Sequence, residues 1–347
     1  MHIRLANSGS SFGASADQPL LDAARDAAFN LPHSCQSGNC GACKARLVRG
    51  EIHYPRGTPL GLSAAEVAEG LILLCQACAR SDLVLETFEI RAADSGAPRR
   101  LPCRIERRAR LSADVMGLYL RLPIAEDFRF APGQYIDILL PGDRRRSFSI
   151  ASPPHDSRPL ELHVRHVPGG EFTDPLFHDL LGSLLLIEGP LGTFAYRPHA
   201  GRAPPMLLIG GGTGIAPLLC ILRHVIDQGI ERDMRLYWGV RAETDLYAQT
   251  TIDALSRRAA GLKYAPVLSE ASAGWRGLTG WVHEAALEGI DDLASYEVYA
   301  AGPPAMIEAL QGAYAVRGVS MERLYCDSFD YAEDTLVRQR MSAATKS

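Results

Sequence analysis

No stretch of this sequence approaches the ~20 consecutive apolar residues that a membrane-spanning helix needs. Its apolar runs, among them Leu71–Leu74, Leu184–Ile187 and Met206–Ile209, have the length of strands. The opening Met-His-Ile-Arg-Leu-Ala-Asn-Ser-Gly-Ser lacks the basic-then-apolar order of a secretory signal, so a soluble protein in the cytoplasm is expected. There is no surplus of one charge sign: 36 basic and 40 acidic residues leave a formal net charge of −4. That balance argues against nucleic acid or an anionic membrane as the partner. There is also no internal repeat and no long low-complexity segment, which excludes a solenoid or a disordered array.

What remains is ordinary globular material. Hydrophobic residues make up 47% and charged residues 22% of 347, enough for more than one core and for two or three domains. Two stretches without hydrophobic period, Arg91-Ala-Ala-Asp-Ser-Gly-Ala-Pro-Arg-Arg100 and Arg197-Pro-His-Ala-Gly-Arg-Ala-Pro-Pro205, read as linkers. The expected domains are 1–92, 101–198 and 204–330, with a tail at 331–347. In the first, Pro19–Phe29 has a helical face of Leu20, Leu21, Ala24 and Ala28, while Arg46–Val48 and Leu83–Ile90 read as strands. The second reads as short strands separated by turns, at Gly117–Leu122, Tyr135–Leu139, Ser147–Ala151, Leu160–Val164 and Leu184–Glu188. That pattern suits a small antiparallel barrel. The third alternates strands (Met206–Ile209, Arg235–Gly239, Glu297–Ala300) with helices (Pro217–Gln228, Thr250–Ala260, Pro304–Arg317), the pattern of an α/β parallel sheet.

Of eight cysteines, five fall in the first 78 residues. Clustering of this kind in a cytoplasmic protein points to a metal site rather than to disulfides. Cys35-Gln-Ser-Gly-Asn-Cys40-Gly-Ala-Cys43 has the C-x₄-C-x₂-C spacing of a 2Fe–2S loop, completed by a distant fourth cysteine. Gly38, Gly41 and Ala42 let the backbone curl round inorganic sulfide and offer it N–H groups. Cys75-Gln-Ala-Cys78 holds two candidates for the fourth ligand. Because it is a second Cys-x₂-Cys, it also leaves a zinc site as the alternative.

In the middle third, Arg146 offers a bidentate fork to a phosphate. Phe148, two residues on, shares its strand face and is placed to stack on a flat ring. Ser149 can hydrogen-bond a ring nitrogen. Downstream, Gly169-Gly170-Glu-Phe-Thr173 leads into a predicted helix at Asp174–Leu181, an arrangement that offers an anion backbone N–H groups and a helix dipole. In the last third, the apolar strand ending in Gly210-Gly211-Gly212-Thr213-Gly214-Ile-Ala-Pro217 is the strand, glycine loop and helix that a dinucleotide site requires. After the next strand, Glu243 or Asp245 can accept from a ribose 2′-hydroxyl, favouring NADH. Arg241 can contact the ribose region and would pair with the 2′-phosphate of NADPH, the alternative coenzyme.

These motifs, in this order, resemble the ferredoxin–NAD(P)H reductase superfamily with an N-terminal plant-type 2Fe–2S ferredoxin domain. The resemblance extends to reductase components of bacterial ring-hydroxylating oxygenases of the naphthalene and salicylate type, and equally to CDP-glucoseen reductases. It implies a ferredoxin domain of the β-grasp (α+β) type, an antiparallel β-barrel for FAD rather than FMN, and an α/β nicotinamide domain. It makes Cys75 the fourth cluster ligand after Cys35, Cys40 and Cys43, with Cys78 a core residue. Arg146, Ser147, Phe148 and Ser149, the strand His163-Val164-Arg165, and Gly169, Gly170 and Thr173 are assigned to the flavin. Gly211, Gly212, Thr213, Gly214 and Arg241, with Gly302, Pro303 and Met306, are assigned to the nicotinamide nucleotide. Ser149 and Thr213 flank the reacting rings. Ala301 stands where the superfamily often has a cysteine, and Phe329 is the C-terminal aromatic. The implied activity is electron transfer from NAD(P)H through FAD and the cluster to a protein acceptor, an oxygenase component or its ferredoxin. A sugar dehydrase is the rival acceptor, and a non-catalytic iron–sulfur carrier is the reading from another class. His33, Lys44, Arg46 and Arg49 suggest a basic rim around the cluster loop, suited to steering an acidic partner.

Overall fold

The computed structural model describes residues 1–329 except 28, 30, 34, 35, 39, 40, 88–97, 143, 179, 180 and 200. The chain divides into two compact units. Met1–Ala93 with Cys326–Ser328 forms one; the other runs from Asp94 to Tyr325 and includes Phe329.

The first unit is built on a five-stranded sheet in the order Ser11–Gly13, His2–Leu5, Leu83–Glu86, Lys44–Arg49, Leu71–Leu73. His2–Leu5 and Leu83–Glu86 run parallel, and the other pairs are antiparallel. Alternation explains the burial of the first strand: Ile3 and Leu5 are inside, His2 and Arg4 outside. The helix Leu20–Asp26 buries Leu20, Leu21, Ala23 and Ala24 against this sheet's core. It is shorter than the predicted Pro19–Phe29, and Ala28 lies outside the described residues. A second helix, Ala64–Ala68, starts on a capping box in which Ser63 and Glu66 satisfy each other's backbone N–H groups.

The second unit contains a six-stranded antiparallel sheet in the order Arg144–Ser149, Tyr135–Leu140, Leu184–Leu191, Arg99–Arg110, Val115–Arg121, Leu160–Arg165. Its two edges meet through an Ile150–Leu162 bridge and an Ala151 N–H to Glu161 carbonyl bond of 2.8 Å, closing a barrel. Leu118, Leu120, Ile136, Ile138, Leu162 and Val164 fill its interior. Arg99–Arg110 was not anticipated. Leu101, Cys103 and Ile105 alternate inward in its first half, but a bulge between Ile105 and Arg107 breaks the period.

The same unit carries a parallel sheet in which Met206–Gly211 pairs with Met234–Val240 on one side and Glu297–Gly302 on the other. Met234–Val240 pairs in turn with Leu262–Leu268, a strand that pattern reading missed. The helices Ile215–Asp227, Gln249–Arg258, Val282–Glu288 and Pro304–Val316 are the crossovers. The segment joining barrel to sheet is anchored at both ends of its course: the Arg197 N–H donates to the Tyr299 hydroxyl at 3.0 Å, and Arg232 Nε donates to the Pro204 carbonyl at 2.7 Å.

Candidate functional site

Two of the four predicted cluster ligands are visible, and they converge. Cys43 and Cys75 are buried, with sulfurs 3.2 Å apart. That is too long for a disulfide, whose S–S bond is about 2.05 Å, so the two thiols converge without being bonded to each other. Cys35 and Cys40 lie outside the described residues. The described residues around them turn tightly. Gln36 (φ 56°), Gly38 (φ 85°) and Gly41 (φ 74°) take left-handed backbone, and a side chain on Gly38 would meet Gln76 Cγ and Pro59 Cβ at 2.9 Å each. Arg25 from the helix Leu20–Asp26 holds the loop by donating to Gln36 Oε1 at 2.6 Å. Buried thiols on a glycine-bearing loop are a donor set that fits a 2Fe–2S cluster. Cys78 sits instead in the small strand Cys78–Ala79, paired to Ile52–His53, where burial pushes its thiol up.

The expected basic rim is not what the side chains build. His33 is buried, and burial drives its imidazole down to about 4 despite the Leu31 carbonyl contact, so it is neutral at pH 7. Lys44 Nζ is paired with Glu66 at 2.5 Å. Arg46 reaches Glu86 at 3.8 Å and donates to the Glu69 carbonyl at 2.6 Å. Only Arg49, of the four, stands exposed without a described ion pair. Steering of an acidic partner by four free cations therefore loses its basis.

In the barrel, Arg146 and the Gly169–Thr173 turn are brought together. Arg146 is largely covered, and its Nη2 lies 4.0 Å from Glu171 Oε2, while Arg144 pairs with the same oxygen at 2.6 Å. Two guanidiniums thus gather at this turn, both facing the Glu171 carboxylate. The turn is tight. Gly169 has φ 75°, a side chain on Gly170 would meet Thr173 Oγ1 at 2.4 Å, and Thr173 donates to the Val167 carbonyl at 2.9 Å. The helix that follows, Thr173–His178, starts one residue earlier than expected. Phe148 lies beside Phe172 with ring centroids 5.6 Å apart, and Ser149 is buried opposite Tyr135. Ser147 turns its hydroxyl to Asp137, donating at 2.6 Å. Val164 points into the barrel core, whereas His163 and Arg165 face outward. Arg165 reaches the nucleotide loop, with Nη2 3.1 Å from where a side chain on Gly212 would begin.

The nucleotide loop explains its own glycines. A side chain on Gly214 would meet the Ala301 carbonyl at 2.0 Å, and one on Gly211 would meet Met306 Sδ and Pro303 Cδ at 2.8 Å. One on Gly302 would meet Met306 Cε at 2.7 Å. Gly211, Gly214, Gly302, Pro303 and Met306 thus pack into one close-fitting cradle at the carboxyl end of the parallel strands. That is where open α/β sheets bind nucleotides, and the cradle fits a dinucleotide. Thr213 belongs to the single helical turn Gly212–Gly214 that leads into Ile215–Asp227. Phe329 is tied in as well: its N–H donates to the Gly302 carbonyl at 2.9 Å, and its ring packs against the core of the parallel sheet. Arg241 is exposed beside Glu270, whose N–H donates to the Arg241 carbonyl at 2.8 Å. Asp245 spends a carboxylate oxygen on the Ala242 N–H at 3.1 Å, leaving Glu243 the more available of the two acids. Glu161, Arg223, Trp238 and Tyr247, which line or back the cleft between barrel and parallel sheet, escaped sequence reading because they meet only through the tertiary fold.

Three family models cover this architecture in order: the 2Fe-2S iron-sulfur cluster binding domain at residues 3–80, the oxidoreductase FAD-binding domain at 102–196 and the oxidoreductase NAD-binding domain at 208–312. A CDP-6-deoxy-L-threo-D-glycero-4-hexulose-3-dehydrase reductase of Yersinia pestis is 35% identical over 330 residues, covering 95% of this chain and 98% of its own. The chain belongs to the 2Fe–2S, FAD- and NAD-binding reductase family. This reductase is an NAD(P)H-dependent flavin iron–sulfur oxidoreductase of the ferredoxin reductase type. Reductase component 1 of the terephthalate 1,2-dioxygenase of a Comamonas species is 31% identical to it, covering 94% of this chain and 96% of that one. Among solved structures, the Amycolatopsis cytochrome P450 reductase GcoB superposes with a TM-score of 0.77 at 34% identity, covering 94% of this chain and 98% of that one. Among the described residues, no helix of this reductase is long and apolar enough to cross a membrane.

Proposed function

We propose that this reductase takes a hydride from NADH and delivers electrons singly, from a cluster held by Cys35, Cys40, Cys43 and Cys75, to an oxygenase component. When bound, FAD supplies the chemistry that links the two regimes, accepting an electron pair and releasing single electrons. The chain's own residues do the positioning. Arg146 and the Gly169–Thr173 turn hold the flavin phosphate end, while Phe148 and Ser149 present a ring face and a hydroxyl to the isoalloxazine. Gly211–Gly214 with Gly302, Pro303 and Met306 cradle the nucleotide, and Thr213 borders the nicotinamide. The observation that carries the reading is the coexistence of an intact nucleotide cradle, an arginine-bearing flavin turn and a converging buried cysteine pair. A non-catalytic iron–sulfur carrier would need only the last of these.

The preferred acceptor is a Rieske-type ring hydroxylase, since activation of O₂ needs electrons delivered one at a time. Relatives serving a terephthalate dioxygenase, an aromatic O-demethylase and a propane monooxygenase support an oxygen-activating partner. The relative serving a CDP-hexulose dehydrase, 35% identical, supports the second reading: a pyridoxamine-dependent sugar dehydrase. Reconstitution with NADH against candidate oxygenases and dehydrases from the same cell separates the two. Turnover with a dehydrase alone would overturn the oxygenase assignment. A kcat/KM clearly higher for NADPH than for NADH would overturn the coenzyme assignment, which rests on Glu243 and Asp245 beside the ribose site.

A further inference from the structure

Strand alternation turns Glu161, His163 and Arg165 outward from the barrel while Leu162 and Val164 face its core. His163 is nevertheless buried, because Tyr247 from the nucleotide half covers it. The rings meet edge to face, centroids 5.4 Å apart at 78°, with the Tyr247 hydroxyl 3.2 Å from His163 Nδ1. The other ring nitrogen, Nε2, lies 3.2 Å from Glu161 Oε1. Burial opposes charge on Glu161, but the hydrogen bond from His163 and the charge of Arg223 draw its carboxyl down to about 2. It is a carboxylate at neutral pH and can only accept. In the neutral imidazole, Nε2 therefore carries the proton, and Nδ1 is left to accept from the Tyr247 hydroxyl. Glu161 is itself clamped, by Arg223 Nη1 at 2.5 Å and by the Tyr119 hydroxyl at 3.2 Å.

The same tyrosine also leads to the nucleotide cradle. Its ring meets Trp238 edge to face, centroids 5.2 Å apart at 83°. Trp238 is fully buried, and its indole N–H donates to the Gly212 carbonyl at 2.8 Å. Gly212, at φ 55°, is the bend of the loop. A continuous path therefore runs from the flavin-side strand Leu160–Arg165 through Tyr247 and Trp238 into the loop that carries Thr213.

We propose that Tyr247 is a positioning residue for hydride transfer, its hydroxyl locking the strand Leu160–Arg165 to the Gly211–Gly214 loop through Trp238. The inference rests on the assignment of those two segments to flavin and nicotinamide. Hydride transfer depends steeply on the approach of the two rings, so a small slip between the segments slows the step without releasing the nucleotide. Tyr247→Phe removes the hydroxyl and keeps the packing. In anaerobic single-turnover reduction by NADH, it is expected to slow flavin bleaching roughly three- to tenfold, the range one lost hydrogen bond supports. The NADH dissociation constant should stay within about twofold. The charge-transfer absorbance of the NAD⁺–reduced flavin pair should weaken. Trp238→Phe, which removes the N–H to Gly212, should reproduce the pattern. In a His163→Asn background, Tyr247→Phe should add nothing, because its partner is already gone.

Bleaching at the wild-type rate with unchanged charge-transfer absorbance would overturn the proposal, even if the melting temperature fell. So would an equal loss in both backgrounds. A wild-type protein whose flavin NADH cannot reduce overturns this proposal and the assigned function together. Normal wild-type reduction beside an unaffected Tyr247→Phe variant overturns the positioning role alone.

Discussion

Gly214→Ala isolates steric exclusion in the nucleotide cradle. The backbone of Gly214 (φ −59°, ψ −11°) is helical, a conformation alanine prefers. Conformational strain therefore cannot account for a defect. The obstacle is space: the new Cβ would stand 2.0 Å from the Ala301 carbonyl oxygen, 2.5 Å from its carbon and 3.0 Å from the Gly302 nitrogen. All three are backbone atoms in the strand Glu297–Gly302, so no side chain can rotate away. Either the loop or the strand end must move by more than an ångström, since the nearest contact is 2.0 Å and ordinary contacts begin near 3.4 Å. Overpacking of this kind costs about 1–3 kcal/mol, occasionally more. If about 3 kcal/mol of it appears in nucleotide positioning, kcat/KM for NADH falls roughly a hundredfold. The assay is steady-state NADH oxidation with a small-molecule acceptor, with flavin and iron content measured in parallel. Both contents should stay normal, because the change touches neither the barrel turn nor the cysteines. Gly201→Ala is the control, having nothing within 4 Å of the added carbon. A Gly214→Ala protein with wild-type kcat/KM would refute the cradle argument.

Cys75→Ser should abolish cluster absorbance and lower iron content, while Cys78→Ser should leave both near normal; the reverse outcome would exchange the two roles. Arg146→Ala should lower flavin occupancy with iron retained, measured by absorbance after desalting, and joint loss of both cofactors from a folded protein would contradict separate sites. Glu161 has its carboxyl drawn from 4.5 to about 2. Its charge therefore contributes stability in full above about pH 4.5, a contribution lost as pH falls through about 2. The melting-temperature deficit of Glu161→Gln should accordingly be constant near neutrality and shrink between those limits.

Much of this molecule is legible in its sequence because its chemistry depends on backbone. Cys35–Cys43 and Gly210–Pro217 stand out since curling round sulfide, or letting a strand end approach a pyrophosphate, demands small residues at fixed spacing. The parallel strands around Met206–Gly211 were readable as apolar runs because both faces of the sheet are covered. Arg99–Arg110 was hidden. Its first residues fall in a stretch that reads as linker, and its bulge shifts the alternation midway. Leu262–Leu268 was masked by Lys263 and by Pro266, which breaks the look of a central strand. The rim around the cluster could not be judged from charge alone, because Glu66 and Glu86 approach Lys44 and Arg46 only in the folded sheet. The Glu161–His163–Tyr247 chain was beyond pattern reading for the same reason: its two halves are 84 residues apart.

Conversion of a hydride into single electrons within one chain is the core of the proposed function. It is tested most directly by anaerobic titration of the purified protein with NADH, following flavin and cluster absorbance together after measuring FAD, iron and sulfide. One FAD and one 2Fe–2S cluster per chain are expected, with NADH bleaching the flavin and then reducing the cluster without any added protein. A flavin-free protein, or one whose cluster stays oxidised after the flavin is fully reduced, would contradict it.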